Sequence, residues 1–448
     1  MSEKRKLSAP VVVAAVLALG WVGAMLWPSL TRDEVTDDAQ PREGPPAEDA
    51  AAMPVSETSE EAGESDAPVP FLPNVEVEYA DAAWSTYHGG PALTGAVKAV
   101  LPEAPVVLWR FQADAPVYHT PVSCGERVYF STTRGGVFAL DLEGNEIWSK
   151  HLVREMKRDG TPRMERFDAP AACFNGTLLI GAISGTLYAF DAATGDEKWR
   201  YDVGGPILGT VNLHRSSKEG GADRVYVIGQ DDGTLHSIDL ESGTRVWKAE
   251  AIDRCDGSPS IGGDAIIFGS CAAALHVFSA QDGRLTKNIE IDDDSQIAGG
   301  VALAGDSVFS GSHSGYLIHA NSKTGKIVWI NEDSEDEVLT TPAVSGDWVV
   351  FTSYDGLVYG LERTTGLKKW SFDTEGWPTS PVIAADKVVL SADGVLYLLR
   401  LDTGEKIWSY EVSDEATSLA IIRGMIVVGS EDGTITAFGA RPIGSESE

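Results

Sequence analysis

Residues 185–199 read GTLYAFDAATGDEKW. Thr186, Tyr188 and Phe190 alternate with Leu187 and Ala189, the two-residue period of a β-strand. Gly185 follows Ser184 in a tight turn, and Ala193-Thr194-Gly195 reverses the chain into a second short strand ending on Trp199. The stretch is a β-hairpin with an indole at its end, and it recurs. Residues 233–247, 315–329, 356–370 and 394–408 keep the same glycine-to-tryptophan spacing. Residues 136–148 form a shorter copy, and residues 274–288 a degenerate one with Asn288 in the place of the indole.

Two further strand-like runs precede each copy. In one repeat, residues 341–345 and 348–353 flank a Gly346-Asp347 turn and lead into the hairpin. Four antiparallel strands in a repeat of about forty residues make the unit of a propeller blade; they are labelled A to D from the axis outward. After Trp408 a final A-B-C run occupies residues 418–438, and no D strand follows. Residues 106–111, Val-Val-Leu-Trp-Arg-Phe, match the missing strand. Strand D of each blade then ends at residue 109, 148, 199, 247, 288, 329, 370 or 408, with Trp109, Trp148, Trp199, Trp247, Trp329, Trp370 and Trp408 as docking residues between blades. The predicted fold is all-β: an eight-bladed propeller of four-stranded antiparallel blades closed by an N-terminal strand.

Gly185, Tyr188, Ala189, Asp191, Thr194, Gly195 and Trp199 together resemble the PQQ-type β-propeller repeat. Trp84-Ser-Thr-Tyr-His-Gly-Gly resembles the lead-in that opens such domains. The resemblance covers roughly residues 82–440 and implies that each D-strand tryptophan docks between neighbouring blades. It raises two functional readings. The chain is similar to the propeller lipoprotein of the bacterial outer-membrane β-barrel assembly machinery, which implies partner capture without chemistry. The alternative is a PQQ-dependent quinoprotein dehydrogenase, or a propeller binding another small ligand in its funnel. Those dehydrogenases carry adjacent disulfide-bonded cysteines and a Glu, Asn and Asp set for calcium. No two cysteines are adjacent here. A non-enzymatic scaffold without cofactor or metal is therefore expected.

The ends of the chain add location. Lys4, Arg5 and Lys6 precede an apolar run from residue 9 to residue 27, long enough for one membrane-spanning helix. A signal peptide cut after Ala24 is the competing reading. Residues 31–81 hold fifteen Asp or Glu against Arg32 and Arg42, a composition that favours a disordered tether. The expected organisation is an anchor (1–30), an acidic linker (31–81), the propeller (82–440) and a short tail (441–448). It places a monomeric propeller in the bacterial periplasm on a single inner-membrane span, with protein partners of the cell envelope. The net charge of −32 argues against nucleic-acid binding.

Candidate sites follow from departures from the repeat. The longest D-to-A connection, residues 151–167, carries Arg154, Lys157, Arg158, Arg163 and Arg166 within an acidic chain, a candidate partner surface. Acidic connections at residues 290–294 and 331–337 are its possible counter-charges. His119, Asp168, Asp256, Thr340 and Trp377 hold comparable D-to-A positions and are candidate funnel residues. His236, His276 and His319 lie on C strands, in exposed or structural roles. Cys255 and Cys271 flank residue 263 symmetrically, which in a hairpin centred there predicts a disulfide in a blade without its tryptophan. Cys124 and Cys173, each following Pro121 or Pro170, are expected as unpaired thiols.

Overall fold

The alternation that begins at Thr186 becomes the strand Thr186–Asp191, which pairs antiparallel with Thr177–Gly181 on one side and Glu197–Asp202 on the other. Ala172–Phe174 completes the sheet as its innermost strand. The computed structural model describes residues 84–215, 222–250, 252–291 and 295–440. Among them this blade is built eight times. Seven blades come from consecutive sequence. The eighth joins the two ends, with Val106–Gln112 antiparallel to Thr434–Gly439 and Val106 opposite Gly439. The predicted closing strand is thus present, and the ring has no open end. Every described residue belongs to one compact unit within Ala67–Glu448. The proposed anchor, the acidic linker and the tail lie outside the described residues. Among the described residues no helix is long and apolar enough to cross a membrane.

Strands B and C are buried on both faces, as in Thr177–Gly181 and Met425–Gly429, because each blade is sandwiched between two others. The core is therefore a ring of layers between blades. Tyr129 and Val137 of blade 1 pack with Leu178, Ile180 and Tyr188 of blade 2. Tyr226 and Ile228 of blade 3 pack with Ile266 and Phe268 of blade 4. Outermost strand D alternates between exposed and half-buried positions, as in Glu197–Asp202.

One contact repeats around the ring. In five blades the D-strand tryptophan lies on the glycine of the next blade's C–D turn and donates its indole N–H to that turn. Trp148 bonds the Ala192 carbonyl at 3.1 Å, Trp199 that of Leu240 at 3.0 Å, and Trp329 that of Arg363 at 3.1 Å. Trp370 bonds Leu401 at 2.8 Å, and Trp109 carries the contact across the chain closure to Leu142 at 2.8 Å. The glycine is needed twice over: Gly195 has φ +74°, and a Cβ there would stand 2.8 Å from Trp148. Trp247 lies on Gly283, but its indole nitrogen has no partner. Trp408 departs from the pattern and packs against Tyr410 and Phe438.

Blade 4 corrects the sequence alignment by one residue. Val277 pairs with Lys287, as Ala189 pairs with Trp199. The copy therefore begins at Ala273, which takes the turn glycine's conformation at φ +54°. Lys287, not Asn288, holds the indole's place, and its Cδ lies 3.4 Å from where a Cβ on Gly325 would be. A lysine stem covers the turn that an indole covers elsewhere.

The disulfide also falls elsewhere than expected: Cys124 and Cys173 are bonded, with Cα atoms 5.6 Å apart, while Cys255 and Cys271 are free. Register explains both corrections. In blade 2 Cys173 pairs with Leu178; the corresponding pair in blade 1 is Ser123 with Val128. Cys124 lies one residue further along, and a one-residue step reverses the side-chain direction on a strand. The two cysteines thus meet in the layer between blades 1 and 2, where innermost strands converge. In blade 4 the ladder pairs Gly262 with Ala265 and Ser260 with Ile267, so the hairpin is not centred on residue 263. Cys255 and Cys271 lie beyond the short strand Ser260–Gly262, and the Cys255 thiol donates to the Gly269 carbonyl at 3.0 Å. Burial pushes that thiol up to about 12.

Trp370→Ala is expected to cost about 3–5 kcal/mol, through the cavity and an unpaired Leu401 carbonyl. Lys287→Trp, which restores the contact, is expected to raise the thermal midpoint by a few degrees. Equal effects of Trp370→Ala and an exposed D-strand substitution would overturn the docking account. Opening the Cys124–Cys173 bridge, whose ends are 49 residues apart, is expected to cost about 4 kcal/mol. The reductant-induced drop in melting temperature should persist in the Cys255→Ser/Cys271→Ser double variant and vanish in Cys173→Ser.

Candidate functional site

A propeller's first place to look for a ligand is its axis, and here the chain fills it. The segment from Trp84 to Val97 runs around the inside of the ring and pairs with one innermost strand after another. Ser123 of blade 1 donates to the Trp84 carbonyl at 2.7 Å, and Cys173 of blade 2 to Ser85 at 2.7 Å. Ile261, Leu303, Val344 and Ile383, register-equivalent in blades 4 to 7, donate to Pro91, Ala92, Thr94 and Gly95, each at 2.8 Å. Ala96–Val97 then adds to blade 7 as a parallel fifth strand. In blade 3 the equivalent Leu213 N–H is met by the side-chain oxygen of Asn212 at 2.8 Å, and the Asn212 amide reaches the Pro91 carbonyl at 2.8 Å.

Between blades 3 and 4 this segment loops into the axis itself. Thr86 bonds Thr210 at 2.8 Å, and the Tyr87 hydroxyl meets Ser380 at 2.7 Å and Thr341 at 3.1 Å. The ring nitrogens of His88 meet the carbonyls of Leu93 and Pro381 at 2.8 and 2.9 Å, and burial holds its pKa below the usual value. From the other face the D-to-A connections close in as a collar of backbone. A Cβ on Gly257 would stand 2.7 Å from the Gly299 carbonyl, and one on Gly299 2.6 Å from that of Leu339. A cavity of about 420 Å³ lies on the opposite side of the lead-in, lined by Ser85, Pro91, Leu213, His214, Arg215 and Ile261, while the space under the collar, lined by Tyr87, Asp256, Ser258, Thr341 and the collar glycines, is about 170 Å³. That is below the roughly 300–1,000 Å³ of small-molecule sites.

Of the five candidate funnel residues, Asp256 lines this cavity, and its carboxylate already accepts from Gln230 at 2.6 Å and Arg254 at 3.2 Å. Thr340 is turned to its own blade, donating to the Thr352 carbonyl at 2.9 Å. Asp168 is paired with Arg166 at 2.8 Å, and His119 lies near both. Trp377 is 70% exposed and does not line this cavity. The sequence signal was position along the repeat; the distance of each connection from the axis was not in it.

The basic connection forms a two-stranded ribbon, Val153–Met156 paired with Pro162–Met164. Its cations divide. Arg163 pairs with Glu155 at 3.0 Å, and Arg166 with Asp168. Arg154, Lys157 and Arg158 are exposed and have no ion pair among the described residues. Two of the expected counter-charges are used elsewhere: Asp333 binds Lys368 at 3.3 Å, and Glu337 meets His313 at 3.0 Å. Residues 292–294 of the other acidic connection lie outside the described residues. Sequence reasoning missed Glu165, buried at the ribbon's base. Its carboxylate accepts from Ser184 at 2.8 Å, Tyr188 at 2.9 Å and the Arg166 amide at 3.1 Å.

His236, His276 and His319 are buried and structural. Tyr201 bonds His236 at 2.9 Å, and Ser270 and Asn288 hold His276 at 2.8 Å each. His319 stacks on Phe309, its ring nitrogens without partners. Among the described residues no three His, Cys, Asp or Glu side chains are placed to hold a metal ion.

Residues 144–296 and 292–441 match the family model described as outer membrane protein assembly factor BamB. The chain belongs to that family. A BamB from Burkholderia pseudomallei is 26% identical over 298 residues, covering 63% of this chain and 73% of that protein. The crystal structure of BamB from Moraxella catarrhalis superposes with a TM-score of 0.62 at 19% identity, over 75% of this chain and all of that one, 100%. The quinohemoprotein alcohol dehydrogenase from Comamonas testosteroni also superposes, at a TM-score of 0.63 and 15% identity, over 83% of each chain. At such identities the superpositions speak for the fold.

A quinone cofactor does not fit the residues present. The space under the collar is too small for a planar tricycle, and its floor is the looped lead-in with Tyr87, not an open indole face. The disulfide joins cysteines 49 residues apart instead of adjacent ones. No catalytic step is derived through such a group.

The buried histidines predict a pH dependence. Burial pushes His236 and His319 down to about 4, with Lys248 and Arg245 adding for the first and Arg363 for the second. Their unfolded value is about 6.5, so the unfolded chain binds more protons below it. The stability they contribute is full above about pH 6.5 and is lost as pH falls toward 4. The melting temperature should fall from pH 7.5 to pH 5, and less steeply in the His319→Phe variant. An unchanged slope in that variant would remove His319 from the account.

Proposed function

We propose that this protein is an extracytoplasmic scaffold of outer-membrane protein assembly, tethered by residues 1–30 and an acidic linker. It captures protein partners on the D-to-A face of its propeller and carries out no reaction. The observation that carries this reading is the filled axis, which leaves the face and its connections as the surface free to bind. Family membership points the same way, since the matched relatives are named assembly factors. The Cys124–Cys173 bridge suits an oxidising compartment. The candidate partner residues lie on this face, together with Trp377 and the 41% exposed Tyr118. The span predicted over residues 9–27 supports an inner-membrane anchor.

Two measurements on the full chain test the proposal. Added PQQ and calcium should leave both the melting temperature and dye-linked dehydrogenase activity at baseline; a clear rise in either would restore the enzyme reading. A photo-crosslinker at Trp377 or Tyr118 should capture an envelope protein of the β-barrel assembly machinery, whereas crosslinks no different from those on the A–B face would overturn the scaffold reading.

A further inference from the structure

The connection between blades 1 and 2 is the part of the described chain that departs furthest from its own repeat. Where other connections cross directly to the next innermost strand, this one projects the ribbon of Val153–Met156 and Pro162–Met164. Its tip is tight and internally capped: Lys157 donates to the Thr161 carbonyl at 2.9 Å, and Asp159 accepts from the Thr161 amide and hydroxyl at 2.9 and 2.6 Å. Its base is fixed as well. Leu152 donates to Gly135 at 2.9 Å, Glu165 to Leu152 at 2.8 Å, and the buried Glu165 carboxylate is saturated. A projection held at both ends is pre-organised, so little ordering entropy is lost when something binds it.

We propose that the ribbon binds an extended acidic segment of a protein partner, added as a third strand along Val153–Met156. The proposal rests on the scaffold reading and names the partner's chemistry. Three observations select that occupant. The first is charge: residues 153–163 hold four cations against two anions in a chain of net charge −32. Both anions are engaged within the ribbon, Glu155 by Arg163 and Asp159 by Thr161, which leaves Arg154, Lys157 and Arg158 for an outside partner. The second is apolar surface, since Val153 is 48% and Met156 63% exposed beside those cations. The third is the edge. Among the described residues Val153–Met156 pairs only with Pro162–Met164, with a register shift between Val153 and Glu155, so its outer edge is open, whereas the opposite edge is blunted by Pro162, which lacks an N–H. Strand addition uses such an edge for main-chain bonds and the flanking side chains for selectivity. A partner alternating carboxylate and aliphatic side chains satisfies all three.

The test uses the full chain and a fluorescein-labelled peptide of alternating Glu and Val, with a Lys–Val peptide as control. The Glu–Val peptide should bind and weaken with salt, and the control should not bind. The triple variant Arg154→Glu/Lys157→Glu/Arg158→Glu should lose about tenfold or more in affinity and most of the salt dependence. Val153→Ser/Met156→Ser should weaken the binding that remains at high salt. All five positions are exposed, so melting temperatures should match the parent. Absent binding, equal binding of the control, or affinity unchanged by charge reversal each overturns the proposal. Envelope crosslinks that persist in the triple variant would spare the scaffold reading while removing the ribbon from it. Peptide binding without any envelope crosslink would do the reverse.

Discussion

Every blade of a propeller turns an unpaired strand edge toward the axis, and in an eight-bladed ring those edges are too far apart to satisfy one another. Buried main-chain N–H groups must find acceptors. Here the acceptors come from the chain's own lead-in, whose carbonyls at Trp84, Ser85, Pro91, Ala92, Thr94 and Gly95 each take the equivalent amide of a different blade. Blade 3, which the lead-in leaves to enter the axis, supplies its own substitute in Asn212. In those six blades, pairing the inner edge and filling the axis are thus one event. The lead-in thereby occupies space on the axis that a larger axial ligand would need.

The outer part of each interface obeys a second constraint, the close approach of a D-strand residue to the next blade's turn. The contact tolerates a change of side chain better than a change of backbone. Lys287 stands in for an indole over Gly325, but the turn glycines themselves retain positive φ throughout, from Gly144 to Gly404. Blade 4 keeps its place with a weaker side-chain contact because its strands, like the others, are buried by both neighbours. Trp109 shows that the contact needs no chain continuity, since it closes the ring across the two ends.

Much of this was legible in the sequence because it is repeated. The hairpin alternation, the turn glycines and the tryptophan spacing gave the blade, the count and the closing strand Val106–Gln112. Features that depend on register were not legible. Cys124 and Cys173 look equivalent when counted from the prolines before them, yet differ by one residue in the ladder, which turns them toward each other. Cys255 and Cys271 look symmetric about a turn whose true centre is elsewhere. A one-residue uncertainty in register likewise put Asn288 where Lys287 stands. The funnel candidates divide for another reason: position in the repeat does not say how close a residue comes to the axis, so Asp256 lines the cavity and Trp377 does not.

Where specificity can reside follows from these constraints. Strands B and C are buried on both faces, strand A is bound by the lead-in, and strand D carries the contact to the next blade. A substitution in any of them is felt in the ring before it is felt by a partner. The connections on the D-to-A face are under no such obligation, and two of them have built rigid displays. Glu375 adopts φ +58° just before Trp377, and the Thr374 hydroxyl pins that loop to the Gly356 carbonyl at 2.8 Å. The ribbon after His151 is pinned through Glu165. One display offers an indole, the other cations and aliphatic groups beside an open edge. Rigid, chemically distinct displays set on an otherwise inert ring are what a scaffold requires to hold a partner in one orientation.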